Sequence, residues 1–158
     1  LCALKWKNID FARATLKVRK TIQRIQNIDR QAVSKTKIVI SEPKSKCSIR
    51  EIPLSVSVMD IAQNFISYPE SYVLTGTSRY IEPRTMQNHF KLYVKQSGIS
   101  DANFHALRHT FATRCVEVGF EIKSLSEILG HASVNITLNR YVHSSFELKR
   151  FNMSKLIF

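Results

Sequence analysis

The chain has 158 residues, of which 44% are hydrophobic, so it can bury one core of ordinary size, and a single domain is expected. Lysine and arginine number 24 against 12 aspartates and glutamates, which gives a formal net charge of +12. The sequence contains no apolar run near the roughly 20 residues of a membrane-spanning helix, and its three scattered cysteines lack zinc-site spacing. We therefore expect a cytoplasmic protein with free thiols, without a metal, a cofactor or a membrane partner.

Positive charge is concentrated between residues 17 and 50, where the sequence has ten lysines and arginines but only two acidic residues, Asp29 and Glu42. A basic segment with strand-forming residues suits the phosphates of DNA, which supply most of the sequence-independent affinity of DNA-binding proteins. A charge run can also be a solvated surface. Because the net charge is large for the chain length, we favour a nucleic acid as the partner.

The first residues, 1–6, have the pattern of the end of an amphipathic helix without an N-cap or a first turn. A chain that begins in mid-helix is expected to be an N-terminally truncated fragment. A strand is predicted over 15–23, where Leu16 and Val18 alternate with basic residues. Two further strands are predicted over 37–41 and 47–54, and the turn between them contains Lys44 and Lys46. The pattern predicts a small antiparallel sheet with a lysine-rich hairpin tip, which alone would indicate only solvation.

From Ser55 onward the apolar period is helical. One helix is predicted to end before Pro69, with Val58, Ile61, Ala62, Phe65 and Ile66 as its buried stripe. A second runs from Pro83 to Gly98, since proline suits a first helical position and glycine ends helices. Its predicted inner face consists of Met86, Phe90, Tyr93 and Val94. Arg84 lies on its other side, where it is a candidate DNA contact.

Three more helices and a tail complete the chain. A helix over 105–118 has Leu107, Phe111, Cys115 and Val118 as its predicted core stripe, with His105 and Arg108 beside it. A capping-box pattern at Ser124 predicts the start of the next helix, which Gly130 ends. Ser133 is expected to cap a helix that carries Tyr141. Residues 145–158 predict a tail helix whose apolar side consists of Phe146, Met153, Leu156 and Ile157.

Two histidines, an arginine and a tyrosine follow one another in this half of the chain. Each has an ordinary explanation alone: His105 and Arg108 as a surface pair, His131 as a contact at a helix end, Tyr141 as a core residue. Their setting is distinctive, however, because His105 begins HALRHTFAT, His131 ends ILGH and Tyr141 ends TLNRY. The three segments, in this order and at these intervals, resemble the catalytic half of the tyrosine recombinase family of phage and transposon integrases.

The resemblance implies a mainly α-helical domain with a small antiparallel β-sheet, the integrase catalytic-domain fold, over residues 1–158. It also implies site-specific cutting and rejoining of DNA through a 3′-phosphotyrosine, for integration or excision of a mobile element. In that scheme Tyr141 is the nucleophile, while Arg108, His105 and His131 stabilise and protonate the phosphate oxygens. Lys44 matches the general acid of the family's hairpin turn, and Lys46 is its rival. Three residues are the expected DNA contacts: Lys46, Arg50 and Arg84.

The resemblance also defines what the sequence leaves open. The family's first catalytic arginine and its amino-terminal DNA-binding domains are not in these residues, so we expect this chain alone to be poorly active. A non-catalytic DNA-binding fragment and a type IB topoisomerase-like enzyme are the alternatives. Within the family, a tail such as 145–158 docks on a neighbouring subunit of a tetrameric synapse on DNA; packing on its own domain is an equal alternative. A recombinase of this kind would be associated with the nucleoid.

Overall fold

The computed structural model describes residues 1–28, 33–43, 45–100, 102–142 and 146–156. In these ranges the strands come first and the helices follow, which agrees with the expected mainly helical fold with antiparallel strand pairing. The strands are β1 (Ile9–Asp10), β2 (Thr15–Val18), β3 (Thr21–Gln26), β4 (Thr36–Ser41) and β5 (Arg50–Pro53). The helices are α1 (Val56–Gln63), α2 (Pro83–Gln96), α3 (Phe104–Glu117), α4 (Ile122–Leu129), α5 (Val134–Tyr141) and α6 (Phe146–Ser154). None of the described helices has both the length and the apolar character that crossing a membrane would require.

The strands form two small antiparallel sheets, β1-β2-β5 and β3-β4. The single strand predicted over 15–23 is therefore wrong, because the chain leaves one sheet at the exposed Arg19 and Lys20 and enters the other. The predicted hairpin of 37–41 with 47–54 is also wrong. β4 pairs with β3, whereas β5 pairs with β2 and places Arg50 opposite Val18. The alternation of apolar and polar residues predicts which residues form strands, but it does not predict which strands pair with each other.

The N-terminal residues form no α-helix. The amide of Leu4 closes a turn onto the carbonyl of Leu1, and a 3-10 turn follows over Trp6–Asn8. Between these turns the backbone pairs with a distant segment, since Lys5 bridges to Tyr72. The predicted helix end is thus replaced by extended pairing, which also brings Ala3 and Tyr72 into a small apolar cluster with Ile22.

Two predicted helix faces are wrong, although the helices exist. On α1 and the residues after it, Met59 is buried, and Ala62 of the expected stripe is half-buried. The other four residues of that stripe are exposed: Val58, Ile61, Phe65 and Ile66. On α3, Cys115 is buried as predicted, together with Ala112, whereas the other three residues of the predicted stripe, Leu107, Phe111 and Val118, are 54%, 46% and 61% exposed. Both helices carry apolar residues on more than one side, so neighbouring elements decide which side is buried. For α3 those neighbours are α4 and α5.

The helical core consists of α3, α4 and α5, which pack around a cluster of Ala112, Cys115, Leu125, Leu129 and Tyr141. Their ends are defined by capping. Glu121 caps α4 by accepting from the amides of Lys123 and Ser124, so the start predicted at Ser124 is wrong. Gly130 ends α4 in the left-handed conformation, and Ser133 caps α5, both as predicted.

The predictions for α2 and for the tail, which lie outside this core, are partly confirmed. On α2, which begins at Pro83 as predicted, Met86, Phe90 and Val94 are half-buried but Tyr93 is exposed. The ring of Phe90 packs edge-on against that of Phe104 at the start of α3, with centroids 5.2 Å apart. In the tail, α6 confirms a helix within 145–158, and its Phe146 and Met153 are exposed.

Candidate active site

One side of α3 carries the first two candidate residues. His105 and Arg108 are three positions apart, so they lie on the same helix face. Arg108 is half-buried, which fits a position beside the packed face that contains Ala112. His105 is exposed near the start of the helix. His109, one residue after Arg108, shares this side and is also exposed.

Two arginines meet at the C-terminal end of α4. Arg108 donates from Nη2 to the carbonyl of Leu129 at 2.6 Å, and Arg50 donates from Nε to the carbonyl of Ile128 at 2.7 Å. The last carbonyls of a helix have no partner within it, so these bonds satisfy acceptors that would otherwise be exposed or unpaired. Arg50 also donates to the carbonyl of Ser48 at 3.1 Å. A strand residue and a helix residue are thereby held at the same turn.

The two guanidinium groups are not neutralised by protein carboxylates within the described residues, where neither Arg50 nor Arg108 forms an ion pair. Burial, and then the positive charge of Arg108, lowers the pKa of Arg50 from its usual value. Two cations that are close together and partly removed from water favour an anion between them. Arg50 was expected only as a DNA contact; in the structure its guanidinium lies at the end of α4.

Gly130 makes this close approach of Arg50 feasible. Its φ is +71°, in the left-handed region, and a Cβ built on it would lie 2.8 Å from Nη1 of Arg50. A side chain at position 130 would therefore be strained and would collide with the guanidinium. The glycine predicted as a helix stop also provides space for an arginine.

His131 follows directly and faces the same charges. Its Nδ1 lies 2.8 Å from the hydroxyl of Thr137, a fully buried residue of α5. Burial lowers the pKa of His131, and the positive charges of Arg108, Arg140 and Arg50 lower it further. These effects favour the neutral imidazole, and the hydrogen bond to Thr137 orients its ring.

Tyr141 is the last residue of α5, and its side chain belongs to the buried cluster. Its hydroxyl lies 3.0 Å from Nδ1 of His109, and the two rings are 5.8 Å apart between centroids. Sequence reasoning missed His109. Its position four residues after His105, on the same helix face, was the available indication.

His105 lies in a different part of the site. With Arg84 and Lys91 of α2, it lines a cleft of about 250 Å³ where α2 meets the start of α3. The structure thus brings His105 together with the candidate DNA contact Arg84. Lys44 lies outside the described residues, and Lys46 begins a 3-10 turn over Lys46–Ser48. Among the described residues, no group of three or more histidines, cysteines or carboxylates has the arrangement of a metal site.

The sequence is similar to those of recombinases and transposases. The chain is 31% identical over 160 residues to a XerC-like tyrosine recombinase of Caldanaerobacter subterraneus subsp. tengcongensis, a match that covers 90% of this chain and 41% of the relative. It is 27% identical to the transposase from transposon Tn916 of Enterococcus faecalis, over 84% of this chain and 39% of that protein. The chain thus spans less than half the length of these relatives.

Solved structures agree with the sequence matches. The integrase of transposon Tn1549, in complex with circular intermediate DNA, superposes with a TM-score of 0.73 at 26% identity, over 99% of this chain and 54% of that one. XerA recombinase shares the fold at 19% identity, with a TM-score of 0.62. The expected integrase catalytic-domain fold is therefore confirmed. The family model for phage integrases matches residues 1–147. Since that match spans most of the chain and includes the segments of His105, Arg108, His131 and Tyr141, the chain belongs to the phage integrase family.

Proposed function

We propose that this protein is a site-specific recombinase that cuts and rejoins DNA strands through a 3′-phosphotyrosine. The observation that carries the proposal is the group of cations at the end of α4, where Arg108 and Arg50 converge beside His131 without a carboxylate partner in the described residues. Tyr141 supplies a hydroxyl from the adjacent helix. The similarity to recombinases and transposases supports the same chemistry.

The cations suit a phosphodiester in its transition state. The pentavalent phosphorus gathers negative charge on its oxygens, and fixed guanidinium donors stabilise that charge through charge-assisted hydrogen bonds. Within the described residues Arg108 has one hydrogen-bond acceptor, the Leu129 carbonyl, which leaves most of its five N–H donors for a phosphate. In this scheme His131 takes up a proton when the anion binds and donates to a non-bridging oxygen, and His105 contacts a second oxygen.

Strand cleavage then proceeds by substitution at phosphorus. The phenolic oxygen of Tyr141 forms the new bond to phosphorus while the bond to the 5′ oxygen breaks. The phosphotyrosine retains the ester, so a 5′ hydroxyl can attack it and rejoin the strand without ATP. We assign the proton for the leaving oxygen to Lys44, with Lys46 as its rival. A 5′ sulfur leaves without a proton, so a 5′-thio substrate should restore cleavage to Lys44→Ala; restoration of Lys46→Ala alone would assign the acid to Lys46.

Double-stranded DNA is the proposed substrate. The cleft that His105 shares with Arg84 and Lys91 is positively charged and lies next to the proposed phosphate site along α3. The net charge of +12 supports phosphate contacts, as does the complex of the similar Tn1549 integrase with DNA. We propose Arg84 and Lys46 as backbone contacts, and Arg50 as a contact made from the end of α4.

We further propose that residues 1–158 act as one catalytic domain with 145–158 as a tail, in the integration or excision of a mobile element. The exposed Phe146 and Met153 of α6 would dock on a neighbouring subunit in a tetrameric assembly on DNA. Such docking would bury apolar side chains that are in water in the single chain.

Covalent trapping tests this function. The complete gene product is incubated with nicked duplexes that tile the DNA flanking its gene. A nick close to the cleavage site makes the fragment with the new 5′ hydroxyl short enough to diffuse away, which traps the adduct. We expect a protein–DNA adduct that resists denaturation, and none from Tyr141→Phe. Arg108→Ala should lower the cleavage rate by about 10² to 10³, as loss of one anion-stabilising donor does elsewhere. DNA binding without an adduct would indicate a DNA-binding protein instead.

A further inference from the structure

We propose that His109 is the general base that removes the phenolic proton of Tyr141 during strand cleavage. The inference rests on the proposed function, because it assigns a group to one proton of that reaction. Free tyrosine has a pKa near 10, so its hydroxyl needs a base or a strong positive field before it attacks phosphorus.

The hydroxyl of Tyr141 and Nδ1 of His109 are 3.0 Å apart, which is within the distance that proton transfer to a base requires. The tyrosine ring is buried, with only 7% of the residue exposed, whereas His109 is exposed. The pair therefore lies where the core meets solvent, at the side of α3 that also carries Arg108. A phosphate held by Arg108 would approach the hydroxyl from this side.

Other candidate bases are less well placed. Nδ1 of His131 faces the Thr137 hydroxyl at 2.8 Å, and the cations around His131 oppose a further positive charge on it. His105 lines the cleft with Arg84 and Lys91, where α2 meets the start of α3, rather than the contact with the Tyr141 hydroxyl. Within the described residues, the Tyr141 hydroxyl forms one hydrogen bond, and its partner is His109.

The proton balance of the step is simple. With His109 in the tautomer that has its proton on Nε2, the Tyr141 hydroxyl donates to Nδ1. As the oxygen–phosphorus bond forms, the proton moves to Nδ1 and His109 becomes an imidazolium. The bond to the 5′ oxygen breaks, and that oxygen takes its proton from the general acid. In rejoining, the 5′ hydroxyl attacks phosphorus and gives its proton back to the deprotonated general acid. The bond from phosphorus to Tyr141 breaks, and His109 returns its proton to the departing phenolate.

Variants at His109 separate a base from a hydrogen-bond partner. His109→Asn can accept a hydrogen bond near the position of Nδ1 but cannot take a proton, and His109→Ala removes both functions. We expect both variants to slow single-turnover adduct formation by about 10² to 10⁴, the usual contribution of a general base. DNA affinity should be unchanged. Thr110→Ala, at the exposed neighbouring position of α3, is the matched control and should react at the wild-type rate.

A more acidic nucleophile provides the second readout. Replacing Tyr141 by trifluorotyrosine gives a phenol that ionises readily at neutral pH, so it should restore much of the rate of His109→Ala. It should not restore Arg108→Ala, which lacks phosphate stabilisation rather than a base. A purely structural role of His109 would give no such selective recovery.

The outcomes separate the two proposals. If the wild type binds DNA but forms no adduct, the proposed function is overturned, and an adduct that persists in Tyr141→Phe would overturn the assignment of the nucleophile and with it that of the base. If the wild-type adduct is on Tyr141 and His109→Asn reacts at the wild-type rate, the assignment of the base is wrong while the proposed function stands. Rate losses in both His109 variants, with selective recovery by trifluorotyrosine, would support His109 as the base.

Discussion

Arg50 and Gly130 are in contact across 80 positions of sequence, so closely that a Cβ on Gly130 would lie 2.8 Å from Nη1 of Arg50. The contact joins β5 to the end of α4, where Arg50 donates to the carbonyl of Ile128. It places the strand region that follows Lys44 next to the turn that carries His131. Arg50 therefore connects the region of β5 to the turn that carries His131, and it fits there because residue 130 has no side chain.

Gly130→Ala should destabilise the protein more than Gly98→Ala does. Both glycines are left-handed, with φ of +71° and +70°, so each substitution carries strain of about 1–2 kcal/mol. Only Gly130→Ala also displaces the Arg50 guanidinium, since a Cβ at 98 meets nothing within 4 Å. We expect an additional loss of about 1.5 kcal/mol, typical of a hydrogen bond to a charged group, in the free energy of unfolding by urea.

A double-mutant cycle provides the control for this prediction. In an Arg50→Ala background the collision is absent, so Gly130→Ala should cost no more than Gly98→Ala. Equal costs of the two glycine substitutions in the wild-type background would contradict the contact.

The lowered pKa of His131 predicts a pH-dependent term in stability. Because the folded pKa is below 6.5, the value in the unfolded chain, the unfolded state binds more protons between the two values. Well above pH 6.5, His131 therefore does not lower the free energy of unfolding through this effect. As the pH falls from 6.5 through the folded pKa, the free energy of unfolding decreases. The stability of the wild type relative to His131→Asn should decrease between pH 7.5 and 5, measured by urea unfolding. An increase over that range would mean that the folded pKa is raised.

Arg84 should contribute one phosphate contact to DNA binding. Binding of residues 1–158 to duplex DNA should weaken steeply with salt, since a net charge of +12 releases counterions from the phosphates. Arg84→Ala should reduce the slope of log affinity against log salt by about one. Arg114→Ala removes the same charge from an arginine already paired with Glu117 at 2.9 Å and should leave the slope unchanged. Equal effects of the two variants would mean that Arg84 acts only through net charge.

Local patterns predicted much of the helical half correctly. Pro83 begins α2, Gly130 ends α4 and Ser133 caps α5, because each depends on backbone chemistry within a few residues. The order of His105, Arg108, His131 and Tyr141 also identified the family. Such features depend on neighbouring residues or on recognisable motifs, so they can be predicted from the sequence.

The buried faces of helices, the pairing of strands and the contacts between distant side chains could not be predicted in this way. Leu107 and Phe111 form a plausible core stripe, yet α4 and α5 pack against the side with Ala112. The partner of β5 and the inward direction of Arg50 likewise depend on segments far apart in sequence. His109 was overlooked because its importance arises from a contact with Tyr141, 32 positions later.

Mass spectrometry of the trapped adduct shows whether Tyr141 becomes covalently joined to DNA. The adduct is digested with nuclease and protease, and the phosphonucleotide is located on the peptides. We expect modification of Tyr141, with a 3′-phosphate linkage, and no adduct from Tyr141→Phe. Modification of another tyrosine, such as Tyr93 or Tyr72, would contradict it.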